Sequence, residues 1–154
     1  MIRQTIDGVT ALDLLETADA LTDIQATAYF KELDTAYPNA RFVMTVRDET
    51  SWLQSMSRHM NECERRRDPY INKMHQRVYR TERFDEAKLK EARAAHEAEV
   101  AEHFADRPGK LLVLPILSQA GDESWRQLCE FLGTARPDVP FPHLNQSAET
   151  QAPA

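Results

Sequence analysis

The stretch Arg41-Phe-Val-Met-Thr-Val-Arg47-Asp48, followed at once by Glu49-Thr-Ser-Trp-Leu-Gln-Ser55, constrains this chain more than any other. Phe42 to Val46 is a β-rich apolar run ending in a charged pair, the pattern of a strand buried on both faces of a parallel sheet. Beyond Asp48 the period changes: Trp52, Leu53, Met56, Met60 and Cys63 recur at helical spacing, with Asp48 or Thr50 available as N-cap. A strand that runs into a helix sets Arg47 at the strand's carboxyl end, beside the helix N-terminus, where orphan amides and the helix dipole favour an anion. Ser55 falls two turns into that helix, on the side of Ser51 and off the apolar stripe, so its hydroxyl could meet a ligand held by Arg47.

The rest of the chain supplies the neighbours that such a unit needs. Residues 8 to 17 read as a short amphipathic helix, Ala20 to Asp23 as a short strand, and Ala26 to Ala36 as a helix ended by Tyr37-Pro38-Asn39. Residues 20 to 65 then alternate strand, helix, strand, helix, which implies a βαβ crossover. Asp68-Pro69 signals a helix start ahead of Ile71, Met74, His75 and Val78. Phe84-Asp85 opens a longer helix with Leu89, Ala92, His96, Val100 and Phe104 down one side, and Pro108-Gly109 stops it. Leu111 to Leu114 repeats the buried-strand pattern. Gly121-Asp122-Glu123 leads into a helix with Trp125, Leu128, Cys129 and Leu132 on one face and Gly133 as cap. The prolines past Arg136 imply an extended arm laid on the surface, and residues 146 to 154 a disordered tail.

These elements fit one α/β domain over residues 1 to 145, helix-rich and built on a parallel sheet. A net charge of −6 at pH 7 opposes general binding to nucleic acid or to an anionic membrane, though a local cationic pocket is compatible with it. No run approaches the roughly 20 apolar residues of a membrane helix, and Met1 to Asp7 has no apolar segment of a leader. Two cysteines on apolar stripes suit reduced thiols, so a cytoplasmic protein is expected.

The central stretch also resembles a known family. Tyr37-Pro-Asn-Ala-Arg-Phe-Val-Met-Thr-Val-Arg47-Asp-x-x-x-Trp52-x-x-Ser55 is similar to the 3′-phosphate-binding strand and helix of the P-loop sulfotransferases. Phe104 to Leu114, then Trp125 to Gly133 and Pro137 to Asn145, resemble the closing strand, helix and tail of the same family, in the same order. The resemblance implies a three-layer P-loop-like α/β fold and transfer of a sulfuryl group from 3′-phosphoadenosine 5′-phosphosulfate (PAPS) to a hydroxyl or amine acceptor, without a metal. It also implies that Arg47 and Ser55 hold the donor's 3′-phosphate and that Asp23 occupies the position of the catalytic base.

One family signature is missing. Its members carry a first strand leading into a glycine-rich loop whose amides cradle the 5′-phosphosulfate. The four glycines here, Gly8, Gly109, Gly121 and Gly133, form no such loop. The chain therefore reads as an N-terminally incomplete copy lacking the first β-loop-α unit, impaired or inactive in transfer. Its two best strands would then pair directly, leave a groove between them, or take a strand from another chain, with self-association through an open sheet edge as one consequence.

Several residues have a plainer explanation beside the functional one. Arg47 could pair with Asp48, and Asp23 could cap the helix that follows it. His59 and Cys63, four apart on one helix, are two metal ligands and do not complete a site. Arg65-Arg66-Arg67 suits a solvated helix end as well as a nucleotide pocket. A non-catalytic module that binds a nucleotide phosphate is the alternative to an enzyme. A phosphotransferase lacks its Gly-Lys loop here.

Overall fold

A computed structural model describes residues 19–66, 68–116 and 121–142. The expected helix at 8 to 17 and the tail from 146 lie outside the described residues. Among the described residues eight elements follow one another: α1 (Ile24–Ala28), α2 (Phe30–Ala36), β1 (Phe42–Val46), α3 (Glu49–Arg66), α4 (Pro69–Tyr79), α5 (Glu86–Phe104), β2 (Leu111–Pro115) and α6 (Gly121–Leu132). The chain is thus helix-rich α/β. It divides into a helical unit, which holds α1, α2 and Thr50–Asp106, and a strand unit, which holds Arg41–Glu49 and the chain from Arg107.

In the helical unit the caps and stripes read from the sequence do their work. Asp68 accepts hydrogen bonds from the Tyr70 and Ile71 amides at the start of α4, with Pro69 in its first turn. Asp85 accepts one from Lys88 at the start of α5. Met56 and Met60 of α3 meet Leu89 of α5, and Trp52, Leu53 and Tyr79 close around them. Leu89 is fully buried, so this cluster is the unit's core. A second cluster gathers on Phe30, whose ring takes edge contacts from His96 and His103 at 5.6 and 5.3 Å.

Two expectations about the first elements are corrected. Ala20 to Asp23 is not a strand, because the chain is irregular there and turns at Asp23 to enter α1 at Ile24. With no strand at 20 to 23, the crossover expected across residues 20 to 46 does not form. The helix expected over Ala26 to Ala36 is broken at Tyr29, whose backbone leaves helical geometry at φ −129°, ψ 25°. The break lets Tyr29 and Phe30 both bury their rings, where a continuous helix would turn adjacent side chains about 100° apart.

In the strand unit β1 and β2 pair directly and in parallel, Phe42 opposite Leu111 through Val46 opposite Pro115. Of the three arrangements open to the strands, the first is the observed one. Backbone bonds at both ends extend the ladder, from Phe42 N–H to Lys110 C=O and from Ile116 N–H to Val46 C=O, each 2.8 Å. Coverage of the pair is uneven: Leu114 is buried, while Val43 and Val113 are exposed. On α6, Ser124 and Cys129 are buried and Leu132 at the far end is exposed. The segment after Gly133 runs back along this helix, Trp125 Nε1 donating to Val139 C=O at 2.9 Å and its ring meeting Phe141 at 5.0 Å. The arm expected from the prolines is thus a packed strap. Arg41 donates to the Phe131 carbonyl and lies over the Phe131 ring.

Candidate functional site

Three residues carry the expected chemistry. Arg47 directly follows Val46, the last residue of β1, and α3 begins two residues later at Glu49. The strand, arginine, helix order is therefore real. Arg47 is half-buried in the strand unit and is not without interactions of its own. Ser55, in the seventh position of α3, is half-buried in the helical unit, away from the Met56, Met60, Cys63 stripe. Glu49 in the first turn of α3 works against an anion at that terminus.

Asp23 has a structural task in the described residues. Its carboxylate accepts from the Ile24 amide at 2.6 Å and its carbonyl from the Ala26 amide at 3.0 Å, so it caps α1. Its backbone sits at φ 91°, ψ 178°, a region that glycine occupies readily and other residues only at a cost of about 1–3 kcal/mol. An aspartate held in that conformation is a local strain that the surrounding structure must offset. Tyr79, at the end of α4, stands close enough to feel the Asp23 charge. Burial pushes its phenol above the ordinary range, and the Asp23 carboxylate adds to that shift. The sequence singled out Ile71, Met74, His75 and Val78 on this helix but not Tyr79. Its position four residues after His75 was the available signal.

The basic run resolves as a helix end. Arg65 and Arg66 both pair with Glu62, at 2.6 and 3.0 Å, and their side chains are 73% exposed. Arg67 lies outside the described residues. His96 and His103 face Phe30, as above, and His103 also meets the buried Asp34. His59 and Cys63 gain a companion that the sequence did not reveal: His75, sixteen residues beyond His59 and in the next helix, brings its Nε2 to 3.1 Å from His59 Nε2. Burial holds the His75 imidazole below the usual histidine range, with His59 as the lesser cause.

A parallel strand pair, with an arginine closing the first strand ahead of a long helix, defines a helix-rich α/β protein. The chain belongs to the sulfotransferase domain family, whose model matches residues 4–150. No curated protein matches the chain. The small parallel sheet in a helix-rich chain is consistent with that family's P-loop-like fold. Among the described residues no helix is long and apolar enough to cross a membrane.

Proposed function

We propose that the chain is a PAPS-dependent sulfotransferase domain in which Arg47 and Ser55 grip the 3′-phosphate of the donor and Asp23 is the base. The observation that carries this reading is the family match over residues 4–150 together with the placement of Arg47 at the end of β1, ahead of α3. The guanidinium would offer two parallel N–H donors to phosphate oxygens and Ser55 a hydroxyl donor. In transfer, the acceptor oxygen forms a bond to sulfur as the bond from sulfur to the donor's 5′-phosphate breaks. The acceptor proton passes to the Asp23 carboxylate, and adenosine 3′,5′-bisphosphate departs. The acceptor is a hydroxyl or an amine on a small molecule.

A second reading is favoured by one specific observation. The sequence contains no glycine-rich loop to surround the phosphosulfate with amides, and such preorganised donors are commonly the largest single contribution to stabilising a departing anion. On that ground these residues would bind the nucleotide half of the donor and transfer sulfuryl groups slowly or not at all.

Calorimetry with adenosine 3′,5′-bisphosphate, run beside a transfer assay with labelled donor, separates the two. Both readings expect heat of binding in the wild-type chain, a large loss in Arg47→Ala and a smaller one in Ser55→Ala. Arg47→Lys should fall between wild type and Arg47→Ala, since it keeps a charge and loses the planar fork. Transfer above the uncatalysed rate supports the enzyme, and binding without transfer supports the module. Absence of binding, or undiminished binding in Arg47→Ala, refutes the phosphate assignment in both.

A further inference from the structure

Within the helical unit, α3 and α4 bring together three side chains that neither the family nor the proposed reaction requires. His59 and Cys63 stand one helical turn apart on α3, and His75 reaches them from α4. Their ligand atoms all lie within 4.8 Å of one another. Cys63 Sγ is 3.6 Å from His59 Nε2, and the two imidazole Nε2 atoms are 3.1 Å apart. Cys63 is a free thiol.

These separations can be compared with those a metal would impose. A tetrahedral zinc with bonds of about 2.0–2.1 Å to nitrogen and about 2.3 Å to sulfur holds two nitrogens about 3.3 Å apart and a nitrogen about 3.6 Å from a thiolate. Two edges of the triangle are already close to those lengths before any ion enters. The third, from Cys63 to His75, is at most 4.8 Å and has to shorten by up to about 1.2 Å, within the reach of side-chain rotation. Ordinary core packing explains the apolar neighbours Met60 and Met74; the two imidazoles meet nitrogen to nitrogen at hydrogen-bond distance, and the same two nitrogens can instead serve a cation.

The burial pattern adds an independent point. His75 is fully buried, and its Nδ1 makes no hydrogen bond. Among the described residues the ring's hydrogen-bonding contact is to His59, through Nε2. A cation would bind at that same Nε2, the nitrogen that faces the other two side chains, and leave Nδ1 as the N–H of a neutral imidazole. His59 is exposed while Cys63 and His75 are buried, so an ion bound by the three would keep a fourth position toward solvent. Two neutral nitrogens and one thiolate suit a borderline-soft divalent ion better than magnesium or calcium, which take oxygen.

We propose that His59, Cys63 and His75 form a three-ligand site for zinc, clamping α3 to α4 across the turn at Asp68. The site is independent of the donor-binding reading, because neither Arg47 nor Ser55 takes part and the transfer step needs no metal. Its effect is on the helical unit, which a bound ion stabilises by mass action.

The test uses cobalt as a spectroscopic stand-in for zinc on the reduced full chain. Wild type should bind one cobalt per chain, with tetrahedral ligand-field bands and a thiolate-to-cobalt charge-transfer band that one equivalent of zinc abolishes. Cys63→Ser should lose the charge-transfer band and Cys129→Ser should keep it. His59→Ala, a change at an exposed position that circular dichroism can check for folding, should bind zinc at least about a hundredfold more weakly, since losing one of three ligands costs no less than losing a contact that supports one. Zinc should raise the thermal midpoint of wild type and raise that of His59→Ala less at the same concentration. No charge-transfer band in wild type, a band that survives Cys63→Ser, or equal zinc affinity in His59→Ala would each overturn the site.

Discussion

His103 Nε2 lies 2.9 Å from Asp34 Oδ2, joining α5 to α2 through a carboxylate whose side chain is only 5% exposed. A charge so far from water needs strong partners to remain in place. Removing the imidazole by His103→Ala withdraws one of them from the buried carboxylate. Asp34→Asn keeps the shape and removes the charge, so it should cost less. A double-mutant cycle followed by urea unfolding is expected to give a coupling of about 1.5–3 kcal/mol, the range of a hydrogen bond to a charged group. Lys31 and Glu99 make a shorter contact, 2.5 Å, but both side chains are about half exposed. The same cycle there should return less than about 1 kcal/mol. A larger coupling for the exposed pair would contradict burial as the deciding factor.

The strap over α6 makes a prediction of a different kind. A Cβ built on Gly121 would stand 2.9 Å from Phe141 Cβ, closer than two such atoms can approach. Gly121→Ala must therefore push the strap outward, although alanine is the better helix former. Overpacking of this sort costs about 1–3 kcal/mol. Trp125→Phe keeps most of the ring and loses the donor to Val139. With Trp52 replaced by Phe, Trp125 is the single indole and its fluorescence reports the packing: Gly121→Ala in that background should shift the emission toward that of a solvated indole. An unshifted spectrum with unchanged stability would mean that the strap does not hold Phe141 against the helix.

Much of this fold was legible because local chemistry and tertiary packing agree. Asp68-Pro69 and Asp85 start helices, and the stripes that bury Met56, Met60 and Leu89 have helical spacing. The errors come where they part. Ala20 to Asp23 looks extended, yet the chain turns at Asp23 through a conformation that no sequence rule assigns to aspartate. Tyr29 interrupts a helix without glycine or proline, because two adjacent rings both find buried positions. The direct pairing of β1 with β2 was one of several alternatives, since strand partners 64 residues of connecting chain apart (47 to 110) are set by tertiary packing. The histidine and cysteine cluster was half visible. His59 and Cys63 share a helix face, whereas His75 joins them only once α4 folds back.

Acidity should weaken the helical unit. Burial holds the His96 imidazole below its ordinary value of 6.5, while the nearby Glu99 and Glu97 pull the other way. The folded state thus binds its proton less readily than the unfolded chain does. Between the unfolded value and the lower folded value the unfolded chain holds more protons, so stability rises with pH there and is lost as pH falls. Below the folded value the loss levels off. Urea midpoints taken from about pH 7.5 to about pH 5, the range in which histidine titrates, should decline in wild type and decline less in His96→Leu. His75 is shifted in the same direction, so some slope should remain in the variant. Equal slopes in the two proteins would remove His96 as a contributor.

Asp23 is asked to do two things, and one substitution separates them. As a cap it needs an oxygen to accept from the Ile24 amide, and asparagine supplies one. As the proposed base it needs a carboxylate, which asparagine lacks. Asp23→Asn should therefore keep the thermal midpoint within a degree or two, the shift expected of less than about 0.5 kcal/mol in a chain of this size, since asparagine bears the same backbone strain there as aspartate. Asp23→Ala loses the cap and keeps the backbone strain, so it should cost about 1 kcal/mol. If Asp23 accepts the acceptor's proton, whatever transfer the wild-type chain performs should fall by about 10²–10⁴ in Asp23→Asn, the usual contribution of a positioned base, with nucleotide binding unchanged. Transfer that survives in Asp23→Asn at the wild-type rate would leave the residue with the cap alone, and the proton would have to go elsewhere.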